Sequence, residues 1–166
     1  MSWNPFKKKE KEVKPEVQEA IPRTNVAMKP MNYSSMVILA WAKAIEGDEK
    51  LQDWLNLNGY RELYAAVLAI YLQDKPRDWL MENGYPHLMA MINAAEGNKA
   101  AGHWLLQNNF ETLYHLAKAV DHEDESWLWL QKHGSQDIFI LAKSIQIIKD
   151  KIEENHNDPH WIHRDF

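Results

Sequence analysis

The chain has 166 residues and a formal net charge of −5; 45% of its residues are hydrophobic and 26% are charged. This composition is typical of one globular domain and excludes collagen-like and wholly disordered chains. The sequence has no cysteine, which excludes disulfides, zinc–thiolate sites and iron–sulfur clusters. An acidic body without a basic stripe argues against nucleic acid, whose phosphates need clustered lysine and arginine. No apolar run reaches membrane-spanning length and no secretory signal is recognisable, so we expect a cytoplasmic protein.

Residues 1–31 are predicted to be a disordered or extended tail, because four prolines interrupt a charge-rich run. The start of this tail places two aromatic residues beside three lysines. Weak contact with an anionic membrane surface is one interpretation of that cluster, and a solvated tail is the other. The cluster consists of Trp3, Phe6, Lys7, Lys8 and Lys9.

A 25-residue repeat occupies the predicted domain, residues 32–154. Its most regular feature is a tryptophan followed by leucine, and the tryptophans are Trp54, Trp79, Trp104 and Trp129. The position five residues after each tryptophan holds Gly59, Gly84, Asn109 or Gly134. The four units span residues 49–73, 74–98, 99–123 and 124–148.

The columns of this repeat predict two short helices in each unit. Apolar residues before the glycine column have helical spacing, and a second run with the same spacing follows it. The column itself suits a left-handed residue that ends the first helix, where asparagine is the usual substitute for glycine. A lone hairpin cannot bury its apolar face, so neighbouring hairpins must stack. We therefore predict an all-α fold: a right-handed-type α-solenoid of four helix–Gly–helix hairpins, with an N-terminal capping helix and a longer C-terminal helix.

One stretch resembles a degenerate ankyrin repeat. Residues 112–115, Thr-Leu-Tyr-His, stand where ankyrin units carry a Thr-Pro-Leu-His phrase, and residues 128–134 match the ending of such a unit. Ankyrin units are about 33 residues long and contain a β-turn finger, for which the 25-residue repeat has no room. The resemblance implies a binding scaffold and transfers no functional residue.

Motifs for catalysis are missing from the sequence: it has no P-loop, no GxGxxG, no GxSxG and no HExxH. We expect a protein that is not an enzyme and needs no cofactor. The alternative is a metal-binding or enzymatic protein that uses a histidine-rich tail at residues 155–166, and a structural or oligomeric component is a further alternative. Histidines at helical spacing in that tail suit an imidazole–carboxylate metal site, although Pro159 interrupts the pattern. These histidines are His156, His160 and His163.

The leading hypothesis is a protein-interaction module with an unidentified partner. Residues just after the glycine column differ in every unit, and a constant framework with a variable surface is how repeat scaffolds recognise partners. In the last unit, two columns predicted to face outward become apolar together. We expect the C-terminal Trp161, Ile162 and Phe166 to fold over them, and the alternative is that a second chain or a partner covers them. The candidate partner surface consists of Arg61, Glu62, His87, Glu111, Gln136, Asp137, Trp127 and Leu128.

Overall fold

The computed structural model describes residues 25–155 and residue 166. Within them the chain forms nine α-helices and no strand, which confirms the prediction of an all-α hairpin-repeat fold. The helices are α1 (Ser35–Ile45), α2 (Glu49–Leu57), α3 (Arg61–Ile70), α4 (Asp74–Glu82), α5 (Pro86–Ala95), α6 (Lys99–Gln107), α7 (Glu111–Val120), α8 (Asp124–His133) and α9 (Gln136–Glu154). None of these helices is long and apolar enough to cross a membrane.

Side chains at the helix starts explain where the helices begin. Asp48 and Asn98 cap α2 and α6 by accepting hydrogen bonds from backbone N–H groups of the first turn, at 3.1 and 3.0 Å. Three of the helices that follow the glycine column, α3, α5 and α7, have an aromatic N-cap residue and no side-chain cap. Its ring stacks on the repeat tryptophan instead, with centroids 5.5 Å apart for Trp54 and Tyr60. Aromatic packing therefore pins the two helices of a hairpin at their connection.

Two columns of left-handed residues separate the helices. The predicted column has positive φ at Gly59, Gly84 and Asn109, with values of +89°, +88° and +63°, which confirms its role for three units. Gly134 departs from the prediction, since its backbone is extended with φ −79°. A second column, which the sequence analysis missed, ends the inner helices α1, α3, α5 and α7. Its members are Gly47, Leu72, Gly97 and His122, all at positive φ.

The helices form two concentric layers. The inner layer consists of α1, α3, α5, α7 and α9, each packed against the next, and α2, α4, α6 and α8 lie outside the joints between them. The most extensive helix contact in the fold is the one between α1 and α9, the first and last helices of the inner layer. The two predicted caps thus pack on each other, and the inner layer closes into a five-helix ring.

Hydrogen bonds between α1 and α9 fasten this closure at both ends. Near the starts of the two helices, hydrogen bonds from Ser135 and Ser35 hold the pKa of Asp137 below its usual range. At the other end, the Ser144 hydroxyl donates to Glu46 Oε1 at 2.6 Å. Burial alone would raise the pKa of Glu46, but hydrogen bonds from Lys43 and Ser144 outweigh it and lower that pKa.

The core combines the leucine column with the inner helices. The leucines that follow the repeat tryptophans are at most 1% exposed, whereas the tryptophans themselves are half-buried and pack against the outside of the core. At the end where the inner helices finish, the ring axis is filled by apolar side chains. These are Ile70, Met91, Leu116 and Ile145.

Candidate partner-binding site

The end of the ring at which the inner helices begin, here called the mouth, is crossed by residues 27–33, here called the strap. The main chain of the strap is hydrogen-bonded to Gly84, two residues before α5, and to His87 in the first turn of α5. The Lys29 N–H donates to the Gly84 carbonyl at 2.8 Å, and the Lys29 carbonyl lies 2.7 Å from His87 Nε2. Lys29 precedes Pro30, and a residue before proline is biased toward the extended conformation that such pairing needs.

His87 is fully buried beneath the strap, and its hydrogen bonds define its tautomer. Nδ1 accepts the Leu88 N–H at 3.0 Å, so the proton of the neutral imidazole resides on Nε2 and is donated to the Lys29 carbonyl. Burial lowers the pKa of His87, although hydrogen bonds to the backbone oppose that shift. The neutral side chain therefore acts as a fixed donor toward the strap.

A second contact fastens the other end of the strap. The Tyr33 hydroxyl donates to Glu62 Oε1 at 2.9 Å, and the Tyr33 ring lies edge-on to Tyr60 with centroids 6.2 Å apart. Burial, followed by the carboxylate of Glu62, raises the pKa of Tyr33 far above its usual range. The strap thus uses the first turns of two successive inner helices, α3 and α5.

The part of the mouth that the strap leaves open is a cavity of about 490 Å³, here called the mouth cavity. Its volume lies within the range of ordinary ligand pockets, roughly 300–1,000 Å³. The strap, α1, α9 and the start of α7 provide its walls, which mix apolar side chains with a few polar ones. The lining residues include Ile38, Trp41, Asn109, Glu111, Thr112 and Leu141.

Trp41, which lines the mouth cavity, has a side-chain polar atom without a hydrogen-bond partner. Trp41 is 2% exposed, and its indole nitrogen is the single buried side-chain N or O atom that lacks a hydrogen bond within the part of the chain that the structure describes. Leaving a buried donor unpaired costs about 1–3 kcal/mol, so such atoms are uncommon in native folds.

The predicted partner surface divides between the exposed rim and the buried interior. Arg61, Glu111 and Gln136 are exposed, and the mouth cavity is lined in part by Glu111. The prediction that Glu62, His87 and Asp137 are surface residues is wrong. Their side chains are 7%, 0% and 7% exposed, because the strap covers the first two and the packing of α9 on α1 covers the third.

The predicted lid over the last hairpin is wrong for Phe166. Its ring packs in the groove between α3 and α4, with centroids 6.2 Å from Tyr64 and 5.6 Å from Trp79. The Arg61 guanidinium lies 5.0 Å from the Phe166 centroid, which adds a cation–π contact to this groove. Trp161 and Ile162, the other predicted lid residues, lie outside the described residues.

The first of the two columns assigned to the outer surface also differs from the prediction. Gln52 is 3% exposed, and its amide donates to the Ala44 carbonyl at 2.8 Å, so the first column faces inward and caps the preceding inner helix. In the last unit Trp127 takes this place and is half-buried against Phe139 and the Lys143 ammonium, which lies 4.0 Å above its ring. Leu128, in the second column, is 65% exposed as expected.

Two further predictions fall on parts of the chain that the structure does not describe. These are the histidine-rich metal site at His156, His160 and His163 and the aromatic–lysine cluster near residue 6. Among residues 25–155 and 166, no group of three histidine, aspartate or glutamate side chains is placed to hold a metal ion.

Sequence reasoning missed the strap, Trp41 and Thr112 as parts of one site. The apolar spacing of Met31 and Tyr33 just before α1 was an available signal, since both side chains pack against the core. Comparison of the chain with protein-family models, with curated proteins and with solved structures finds no match.

Proposed function

We propose that this protein is a non-catalytic interaction module that binds an extended segment of a partner protein across the mouth of its helical ring. The observation that carries the proposal is the strap. An extended stretch of polypeptide is already held at the mouth through its main chain, by the Gly84 carbonyl and by His87 Nε2. Recognition of main-chain groups suits a peptide ligand, because every peptide offers the same donors and acceptors.

The mouth also has room and chemistry for a second segment. The mouth cavity lies directly beside Met31 and Tyr33 of the strap, and its polar residues converge on an apolar floor. A concave apolar pocket with a few converging polar groups is the usual form of a binding site. The resemblance to ankyrin repeats, which implies a binding scaffold, agrees with this proposal.

Site-directed photocrosslinking in native cells tests the function. A photoreactive phenylalanine analogue is placed at Glu111, on the rim of the mouth, and in a control protein at Leu106, which is 42% exposed on an outer helix. We expect protein adducts from position 111 and none from position 106, with the crosslinked partner peptides coming from loops or tails. Adducts from position 106 alone would place partner binding on the outer layer and contradict the proposal.

A further inference from the structure

Gly84 and His87 hold the strap, and the repeat places an equivalent pair of residues in the lining of the mouth cavity. Lys29 of the strap is hydrogen-bonded to the carbonyl of residue 84 and to the side chain of residue 87. Both positions recur 25 residues later, as Asn109 and Thr112. Asn109 has φ +63° and Gly84 has φ +88°, so both residues are left-handed and precede an inner helix in the same way. The Asn109 carbonyl and the Thr112 hydroxyl therefore correspond to the two groups that hold Lys29.

This second pair is open. Both residues line the mouth cavity, and Thr112 is an exposed residue. Within the described residues, no hydrogen bond is made by the Asn109 carbonyl or by the Thr112 hydroxyl. A peptide unit placed here can donate its N–H to the carbonyl and accept the hydroxyl proton. It must lie closer to the helix start than Lys29 does, because the threonine side chain is shorter than that of histidine.

We propose that Asn109 and Thr112 form a main-chain subsite for an extended partner segment that inserts one large apolar side chain into the mouth cavity. This inference rests on the proposed function and specifies its ligand. Below the subsite lie Ile38, Trp41 and Leu141, which provide an apolar floor for that side chain.

The charge of the rim specifies the neighbouring residue of the partner. Glu111 is exposed beside the subsite and forms no ion pair with any residue of the described part of the chain. The whole chain carries a net charge of −5. A lysine or arginine next to the apolar residue complements this rim, and electrostatic complementarity of this kind adds specificity and speeds association. The strap also combines a basic residue with a large apolar one, since Lys29 precedes Met31 by two positions.

Selection from a displayed library of random heptapeptides on the full-length protein tests the subsite. We expect the selected peptides to share a large apolar residue beside a basic one. In direct titrations with one selected peptide, Thr112→Trp should weaken binding at least about ten-fold by filling the cavity. The matched control Gln107→Trp, exposed at the end of an outer helix, should leave binding within about two-fold.

Two milder variants test the hydrogen-bond pattern in the same titration. Thr112→Val removes one neutral hydrogen bond and should weaken binding about five-fold. Asn109→Gly keeps the carbonyl and the positive φ, so it should bind like the natural protein. Thermal melting confirms that each variant is folded, and this is expected because both side chains are exposed.

The outcomes separate the two proposals. Peptides that bind Thr112→Trp as tightly as the natural protein would overturn the subsite while leaving peptide binding by the module intact. A library that yields no enriched peptide would overturn the subsite and the proposed function together. Equal weakening by Gln107→Trp would show that the effect is not specific to the mouth cavity and would also overturn the subsite.

Discussion

Substitution of asparagine at two equivalent glycines distinguishes the contribution of the strap from that of the left-handed turn. Gly59 and Gly84 have nearly the same φ, +89° and +88°, and Asn109 shows that asparagine suits this column. The sequence alone therefore predicts a small cost at both positions. The structure predicts unequal costs, because a Cβ atom at residue 84 would overlap the Ala27 carbonyl oxygen, while a Cβ at residue 59 meets nothing within 4 Å.

The size of the difference follows from what the strap loses. Asparagine at position 84 must push residues 27–29 away from the ring, which breaks the two hydrogen bonds of Lys29. Each is worth about 1 kcal/mol of net stability, so Gly84→Asn should cost about 2 kcal/mol more than Gly59→Asn. For a chain of this size, that difference corresponds to a melting temperature lower by about 4–8 °C.

Thermal and denaturant unfolding of the two variants measure this difference. Hydrogen exchange adds a local readout, since the Lys29 amide should lose protection in Gly84→Asn and keep it in Gly59→Asn. Deletion of residues 1–30 should produce a similar loss of stability. Sequence analysis alone, which treats these residues as a tail without packing, predicts that the deletion changes nothing. Equal stability of the two asparagine variants would show that the strap contributes nothing and would refute this reasoning.

Three further predictions concern strain, ring closure and pH. Leu72→Gly should raise the unfolding free energy by about 1 kcal/mol, because Leu72 is left-handed with φ +66°. The converse substitution in the same column, Gly47→Leu, should lower the unfolding free energy by a similar amount. Chemical denaturation measures both changes. Ser144→Ala should cost about 1 kcal/mol at pH 7 by removing the hydrogen bond to Glu46. The pKa of that carboxyl is lowered by folding, so its contribution is present above its unfolded pKa and is lost as pH falls through the folded pKa; the two proteins should therefore converge in stability once the pH is below the folded pKa. The pKa of His87 is also lowered by folding, so the unfolded chain binds more protons as pH falls below about 6.5, and stability decreases there. His87→Asn should flatten the dependence of the unfolding free energy on pH between about 7 and 5, and an unchanged slope would show that this imidazole is not held neutral.

The hairpins could be predicted from the sequence because every signal that defines them is local. Apolar spacing identifies the buried face of each helix, and the leucines after the repeat tryptophans are buried as that spacing requires. The left-handed column follows from glycine and from its natural substitute, Asn109. Even so, Leu72 and His122 concealed the second left-handed column, because neither residue type signals positive φ.

The proposed binding site depends on contacts between distant parts of the chain, and only the tertiary structure brings its residues together. Periodicity indicates which face of a helix is apolar but not how far each hairpin rotates from the last, and that accumulated rotation brings α9 back onto α1. Once the inner layer is closed, Glu62 and His87 at the starts of α3 and α5 are buried beneath the strap. The same closure forms the mouth, so that Lys29 meets a carbonyl and an imidazole more than fifty residues away. A local pattern in the sequence contains no information about curvature, which is why the hairpins were predictable from it but the closure of the inner layer, and the burial of Glu62 and His87 that accompanies it, were not.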